Sequence, residues 1–176
     1  MATKETVPEA WEYFLHPEDI YYLRFPGEWE QTTPLSPEAS FAAESGDGEI
    51  LFEIFSMNVA ESNLDDFKDS VDLIQKLLAD SLQDTHYDFD LVSNERFTLN
   101  ALQDPVWDEL DSPPALENPD ACRRMVCTYS DPMKFTQDCY VINRNASVLS
   151  CNFKVVSRKY NARKALFRQV ACTVRI

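Results

Sequence analysis

Residues 121–156, ACRRMVCTYSDPMKFTQDCYVINRNASVLSCNFKVV, decide the fold class. Three runs in this stretch, 121–129, 135–142 and 147–156, are rich in the aromatic and β-branched residues that favour strands. The polar residues 144–146 between the last two runs predict a tight turn. Because short connections join strands that lie side by side in opposite directions, the stretch predicts an antiparallel meander.

Strand-like composition recurs on the N-terminal side of the meander. Residues 39–44 and 49–59 flank Ser45-Gly46-Asp47-Gly48, a sequence typical of a hairpin turn. Apolar residues occupy both faces of 49–59, which indicates a strand covered on both sides. Further strands are predicted over residues 20–25, 87–99, 105–110 and 171–176.

Helices are predicted around this sheet. Apolar residues recur at spacings of three and four over 64–82, and 160–169 has an apolar side as well. A third, short helix is predicted over 8–15. The inward residues of the long helix are Leu64, Phe67, Val71, Ile74, Leu77, Leu78 and Leu82. The sequence therefore predicts an α+β fold, an α/β/α sandwich whose central antiparallel sheet is flanked by helices.

Length and composition limit the organisation and exclude several classes of protein. The 176 residues suffice for one domain, placed at 18–176, with 1–17 as an N-terminal extension that carries the short helix. Three glycines leave no glycine-rich phosphate loop, and no apolar run approaches the roughly 18 residues of a membrane span. The net charge of −14 argues against nucleic acid and membrane surfaces as partners.

All five cysteines lie in the last third of the chain, in or beside predicted strands. Their odd number and the absence of a C-x-x-C pair predict buried, reduced thiols with neither a disulfide nor zinc. These residues are Cys122, Cys127, Cys139, Cys151 and Cys172. No signal peptide is visible at the N-terminus, so we expect a reducing, cytoplasmic location.

Four alternating residues, Asp84, His86, Asp88 and Asp90, form the cluster with the clearest chemical potential. On a strand they share one face, where three carboxylates and an imidazole could bind a divalent cation. The alternative is the solvated face of a half-buried strand, which the same alternation requires. No catalytic motif accompanies the cluster, so we predict no cofactor, no metal and no enzyme activity.

Charge is unevenly distributed along the chain. Residues 1–120 contain 28 acidic and 5 basic residues, whereas 121–176 contain 2 acidic and 11 basic residues. On the C-terminal helix, Arg163, Lys164 and Arg168 are predicted to point outward. Two interpretations are open: these cations compensate acidic groups within the molecule, or they contact an acidic protein partner.

Two tryptophans, Trp29 and Trp107, lie at the ends of predicted strands. Each is a candidate partner contact if it is exposed, because tryptophan is enriched at binding hot spots. If buried, each is a core residue.

The element order and several landmarks resemble a known superfamily. The landmarks are YYLRFPGEWE at 21–30, the meander, YNARKALFRQV at 160–170 and ACTVRI at 171–176. In these features the chain is similar to the superfamily that includes the photosystem PsbP proteins and the Mog-type Ran-binding nuclear-transport factor, with bacterial chaperones of type VI secretion effectors. The resemblance implies an α/β/α sandwich that binds proteins rather than catalysing a reaction.

We therefore expect a cytosolic, non-catalytic protein-binding domain, acting as an adaptor or in a chaperone-like way. Its partner is expected to be another protein, with a homodimer left open. The alternative is a metal-dependent enzyme that uses the acidic face of Asp84–Asp90.

Overall fold

The computed structural model describes residues 6–18, 21–58, 70–97, 104, 122–144 and 147–175. Within these ranges the chain forms nine strands and two helices. The strands are β1 (Glu12–Leu15), β2 (Tyr22–Phe25), β3 (Glu30–Gln31), β4 (Ala39–Glu44), β5 (Ile50–Asn58), β6 (Tyr87–Phe97), β7 (Cys122–Asp131), β8 (Met133–Arg144) and β9 (Ser147–Val156). The helices are α1 (Ser70–Thr85) and α2 (Ser157–Ala171).

Seven strands form one antiparallel sheet in the order β3-β4-β5-β9-β8-β7-β6. The meander predicted over 121–156 is confirmed as β7, β8 and β9, which pair in this order without a register shift. Strands β1 and β2 form a separate two-stranded hairpin. The predicted antiparallel α+β architecture is therefore confirmed.

The two helices cover opposite faces of the sheet. Side chains alternate between faces along a strand, so the neighbours Cys139 and Tyr140 on β8 point in opposite directions. Cys139 belongs to the apolar cluster under α1, while Tyr140 belongs to the larger core under α2. Each outer layer of the sandwich thus contains one of the two described helices.

Aromatic packing dominates the core under α2. The ring of Phe153 stacks on Phe52 with centroids 4.4 Å apart and on Phe167 of α2 at 4.7 Å. All three side chains are fully buried. Aromatic side chains bury large apolar areas, so this stack stabilises the junction of β5, β9 and α2.

A buried ion pair ties the N-terminal hairpin to the rest of the chain. Arg24 donates from Nη1 to Asp104 at 2.8 Å and from Nη2 to the carbonyl oxygen of Trp11 at 2.8 Å. The backbone of Arg24 exchanges hydrogen bonds with the Thr173 hydroxyl. The C-terminal segment after α2 is thereby attached to β2.

The structure corrects two predictions about the chain ends. The helix predicted over 8–15 is wrong, because Glu12–Leu15 pairs with Tyr22–Phe25 as β1 and places Phe14 against the core. The closing strand predicted over 171–176 is wrong as well. Helix α2 continues to Ala171, and the segment beyond it makes an isolated bridge between Arg175 and Tyr22.

The structure also corrects the inward face and the end of the long helix. Leu77, predicted to point inward, is 52% exposed, whereas Leu78 and Leu82 pack on the cluster under α1. The buried stripe follows spacings of three and four from Gln75, and Leu77 lies beside it. The helix ends at Thr85, three residues beyond the predicted end.

Some predictions fall on residues that the structure does not describe. These are the first turns of the long helix over 64–69, the strand over 105–110 with Trp107, and the turn at 145–146.

Candidate functional site

Helix α1 covers only part of its face of the sheet and leaves an open groove beside it. The groove has a volume of about 360 Å³ and is called the sheet groove below. Its described lining residues come from the loop before β4, from β5, from α1 and the residue that follows it, and from the meander. They are Leu35, Ser36, Glu38, Leu51, Glu53, Phe55, Leu78, Ser81, Leu82, His86, Tyr129, Gln137, Asn152 and Lys154.

Strand register places the floor residues side by side. Leu51 of β5 pairs with Lys154 of β9, which pairs with Gln137 of β8. One step along, Glu53 pairs with Asn152. Because residues two apart share a face, these two rows form a continuous surface on the α1 side of the sheet.

Helix α1 and the residues after it form one wall. Leu78 and Leu82 reach the groove from the side of α1 that packs on Met125 and Tyr129. Beyond the helix, the His86 ring stacks on the Tyr129 ring at 4.1 Å with an interplanar angle of 16°. This stacking holds the imidazole at the end of the wall.

The opposite wall is a loop held by a carboxylate. Glu53 Oε1 accepts hydrogen bonds from the backbone N–H groups of Leu35 at 2.8 Å and Ser36 at 3.2 Å. These bonds fix the loop over the floor and leave the Leu35 side chain 74% exposed. The groove therefore presents an exposed leucine on a positioned backbone.

The polar groups of the floor bond to one another. The Tyr129 hydroxyl donates to Gln137 Oε1 at 2.9 Å, and the Ser150 hydroxyl donates to Asn152 Oδ1 at 2.6 Å. Burial raises the pKa of Tyr129, so its hydroxyl stays protonated. These contacts satisfy polar groups that a sheet face would otherwise leave unpaired.

One cation lies among aromatic rings on the floor. Lys154 Nζ is 4.4 Å from the Phe135 ring centroid and 5.6 Å from that of Tyr129. Asp131 lies 3.7 Å from the same ammonium group. With Glu38 and Glu53 in the lining, the groove has more negative than positive charge.

The structure does not gather the predicted acidic face into one site. Asp84 is in the last turn of α1, His86 stacks on Tyr129, and β6 begins only at Tyr87. The backbone of Asp88 is left-handed, with φ of 52°, and the register of β6 shifts twice between Tyr87 and Ser93. These irregularities break the alternation on which the prediction depended. In the described part of the chain, no three histidine, cysteine, aspartate or glutamate side chains are grouped to hold a metal ion.

The C-terminal basic residues divide between the two interpretations. Arg163 donates to Asp47 at 2.9 Å and to Glu49 at 3.1 Å, so it compensates the acidic β4–β5 turn. Lys164 and Arg168 are exposed. For these two residues the acidic-partner interpretation stays a prediction.

Trp29 does not meet the exposure condition for a partner contact. It is 4% exposed, and its ring centroid lies 6.0 Å from that of Phe52 in the core. Trp29 is therefore a core residue, and its assignment to a contact surface is corrected. Trp107 is outside the described residues.

All five cysteine side chains are buried thiols, as the sequence predicts. Burial raises the pKa of Cys127 to about 12 and raises the pKa of Cys139 and Cys151 as well. A thiol with such a pKa is rarely a thiolate near neutral pH. These side chains pack in the sandwich rather than line the groove.

The sequence analysis did not identify the sheet groove. The signal was the alternation of Ser150, Asn152 and Lys154 with buried apolar residues along β9. A polar face on a central strand indicates a surface that no apolar helix fully covers. Its partner row on β5, however, depends on the register, which the sequence alone does not show.

Comparisons with known proteins identify the fold. No protein-family model and no curated protein matches the sequence. The cyanobacterial PsbP of Synechocystis sp. PCC 6803 matches in structure with a TM-score of 0.66 and 10% identity, over 100% of this chain and 98% of that chain. The Ran-binding protein Mog1p of Saccharomyces cerevisiae matches with a TM-score of 0.59 and 3% identity, over 94% and 95%.

A third solved structure has the same architecture. LpqN of Mycobacterium tuberculosis, involved in cell envelope biogenesis, matches with a TM-score of 0.51 and 11% identity, over 98% of this chain and 88% of that chain. The chain therefore has the PsbP/Mog-like fold that the sequence landmarks predict. In the described residues, no helix is both long and apolar enough to cross a membrane.

Proposed function

We propose that this domain is a non-catalytic protein-binding module and that the sheet groove holds a segment of its partner. The observation that carries the proposal is an open groove whose wall presents Leu35, 74% exposed, on a backbone held by Glu53. A binding site needs exposed apolar area in a concave setting with a few placed polar groups. The likeness in fold to the Ran-binding protein Mog1p supports a protein as the ligand.

The charge of the groove indicates the chemistry of the partner. Glu38 and Glu53 line the groove against one lysine, Lys154, and the whole chain has a net charge of −14. Complementary charge accelerates association and selects partners. The partner segment therefore has an apolar side chain that contacts Leu35 and Phe55, with a lysine or arginine beside it.

The groove's polar groups support a binding role over a catalytic one. Tyr129 donates to Gln137, Ser150 donates to Asn152, and Glu53 accepts from two backbone amides. A general acid or base needs a group poised to exchange its proton with a substrate. Here the described hydrogen bonds hold the floor and the loop in place.

The buried thiols support a reducing compartment, and we place the protein in the cytoplasm.

Site-specific photo-crosslinking tests the proposal. A benzoylphenylalanine replaces Leu35 in the groove or Leu77 on the outer side of α1, which is 52% exposed and does not line the groove. Both variants are expressed in cells of the native source and irradiated. We expect one protein species to crosslink through position 35 and not through position 77.

A matched charge variant completes the experiment. Glu38→Lys should reduce the yield of the position-35 crosslink, because it repels a basic segment, whereas Glu12→Lys on β1 should leave the yield unchanged. Identical crosslinked species at positions 35 and 77 would show that the groove is not the binding surface.

A further inference from the structure

A second cavity lies on the other side of α1, away from the sheet groove. It has a volume of about 300 Å³ between α1, β6 and β7 and is called the helix pocket below. Its described lining residues are Asp72, Gln75, Lys76, Ala79, Leu91, Asn94, Arg123 and Met125. The four helical residues recur at spacings of three and four, so they form one stripe of α1. None of these residues lines the sheet groove.

The helix pocket contains a buried donor for which the described residues supply no acceptor. Gln75 is 4% exposed, and its side-chain Nε2 has no hydrogen-bond partner among the residues that the structure describes. A buried amide N–H group without an acceptor is unfavourable, because folding removes its water without replacing the bond. Such a group in the wall of a cavity indicates that something in the cavity accepts its hydrogen bond.

A guanidinium group lines the same pocket. Arg123 bonds to Asp72 through Nε and donates from Nη1 to Asn94 Oδ1 at 3.0 Å. Of the two cations in the lining, Lys76 is paired with Asp80 outside the lining, whereas Arg123 shares the carboxylate of Asp72 with Arg96. Two guanidinium groups on one carboxylate leave an excess of one positive charge beside the pocket, which a monoanionic ligand would match.

The rest of the lining is apolar. The apolar lining residues are Ala79, Leu91 and Met125, and their side chains suit contact with a short hydrocarbon chain. At about 30 Å³ for each water-sized group, the volume holds about ten non-hydrogen atoms. An eight-carbon carboxylate has that number.

We propose that the helix pocket binds a small amphiphilic monocarboxylate, with its carboxylate accepting from Gln75 and facing Arg123 and its alkyl chain against Ala79, Leu91 and Met125. This site is separate from the protein-binding groove. If the helix pocket binds no carboxylate, the proposal for the sheet groove is unaffected, because the two sites have no described lining residue in common.

Titration of the ¹⁵N-labelled protein with octanoate tests the proposal, with the side-chain amide resonances followed by NMR. We expect saturable binding that shifts the Gln75 NH₂ signals. Gln75→Leu keeps the size of the side chain and removes the donor, and should weaken octanoate at least tenfold, since a bond to a charged acceptor contributes that much. Gln83→Leu, at an exposed position of the same helix, should bind octanoate as the unchanged protein does.

Octylamine distinguishes the contribution of the carboxylate to binding from that of the alkyl chain. It has the same chain with a cationic head and should bind at least tenfold more weakly than octanoate. Equal binding of the two probes would overturn the proposal and leave an unspecific apolar cavity. No shift of the Gln75 signals at millimolar octanoate would overturn it too, and would mean that water satisfies the amide. If Gln75→Leu does not fold, these wild-type measurements alone decide the outcome.

Discussion

Replacement of Asp138 by alanine should destabilise the domain more than any loss of a surface charge. Asp138 on β8 is fully buried and binds Arg124 through both oxygens, at 2.9 Å from Nε and 2.8 Å from Nη2. The hydroxyl of Tyr160, in the first turns of α2, donates to the same carboxylate at 3.0 Å. The hydrogen bonds that Arg124 donates to Asp138 raise the pKa of Arg124, which stays charged. The cluster therefore joins α2 to the sheet.

The magnitude follows from what Asp138→Ala leaves behind. Removal of one partner from a buried ion pair costs about 3–5 kcal/mol, because the other charge stays buried without compensation. Here the Arg124 side chain is 21% exposed, and Glu95 lies 3.7 Å from its Nη1. Solvent and Glu95 can therefore partly compensate the charge of Arg124 in the variant, so we expect a loss of about 3 kcal/mol in the free energy of unfolding. Tyr160→Phe removes only hydrogen bonds and should cost about 1–2 kcal/mol.

Urea unfolding followed by circular dichroism measures these changes, with the slope of the transition checked for two-state behaviour. The matched control is Asp131→Ala, on the same hairpin, whose carboxylate is 54% exposed and lies 3.7 Å from Lys154. The control should lose less than about 1 kcal/mol, as exposed ion pairs do. Equal losses for the two variants would refute the assignment of Asp138 to a buried ion pair.

Three further outcomes are expected. The pKa of Asp47 lies below its usual 3.8 mainly because Ser45 donates a hydrogen bond to its carboxylate. The pKa of Glu49 lies below its usual 4.5 mainly because Lys159 donates one to its carboxylate. Their contribution to stability is therefore complete above those usual values and is lost as pH falls through the lower folded values. The melting temperature should fall on acidification below about pH 5, and it should fall by less in an Asp47→Asn, Glu49→Gln double variant than in the unchanged protein. An identical fall in the two proteins would contradict the stabilising role of these two carboxylates. Ellman's reagent should find no rapidly reacting thiol in the native protein, because burial raises the pKa of Cys127 to about 12 and also encloses the other cysteine side chains. After denaturation without reductant the reagent should find five thiols, and fewer than five would reveal an oxidised pair. Leu82→Ala should cost about 1–3 kcal/mol and Leu77→Ala less than about 0.5 kcal/mol in urea unfolding, and the reverse order would show that the inward face of α1 is assigned wrongly.

The sequence predicted the meander and the β4–β5 hairpin well, because strand composition and turn residues are local signals. Strand β4 was predicted with its observed bounds, and β9 also. The segment 8–15 was misassigned, since its few residues are compatible with either a helical or an extended state. Its pairing with β2, a tertiary contact, decides for the strand.

The candidate site was less predictable than the fold. The acidic residues around His86 suggested a regular strand face, yet the left-handed Asp88 and the register shifts of β6 remove that regularity. The sheet groove depends on how much of the sheet α1 covers, and no local pattern encodes that. Only the polar alternation of Asn152 and Lys154 on β9 indicated an uncovered sheet face.

The affinity of the recovered partner for two matched variants tests the central claim most directly. Leu35→Arg adds a cation and removes the exposed leucine of the sheet groove, while Leu77→Arg makes the same change at an exposed position outside it. Isothermal titration calorimetry with the purified partner should give at least tenfold weaker binding for Leu35→Arg and unchanged binding for Leu77→Arg. Equal affinities of the two variants would contradict the assignment of the sheet groove as the protein-binding surface.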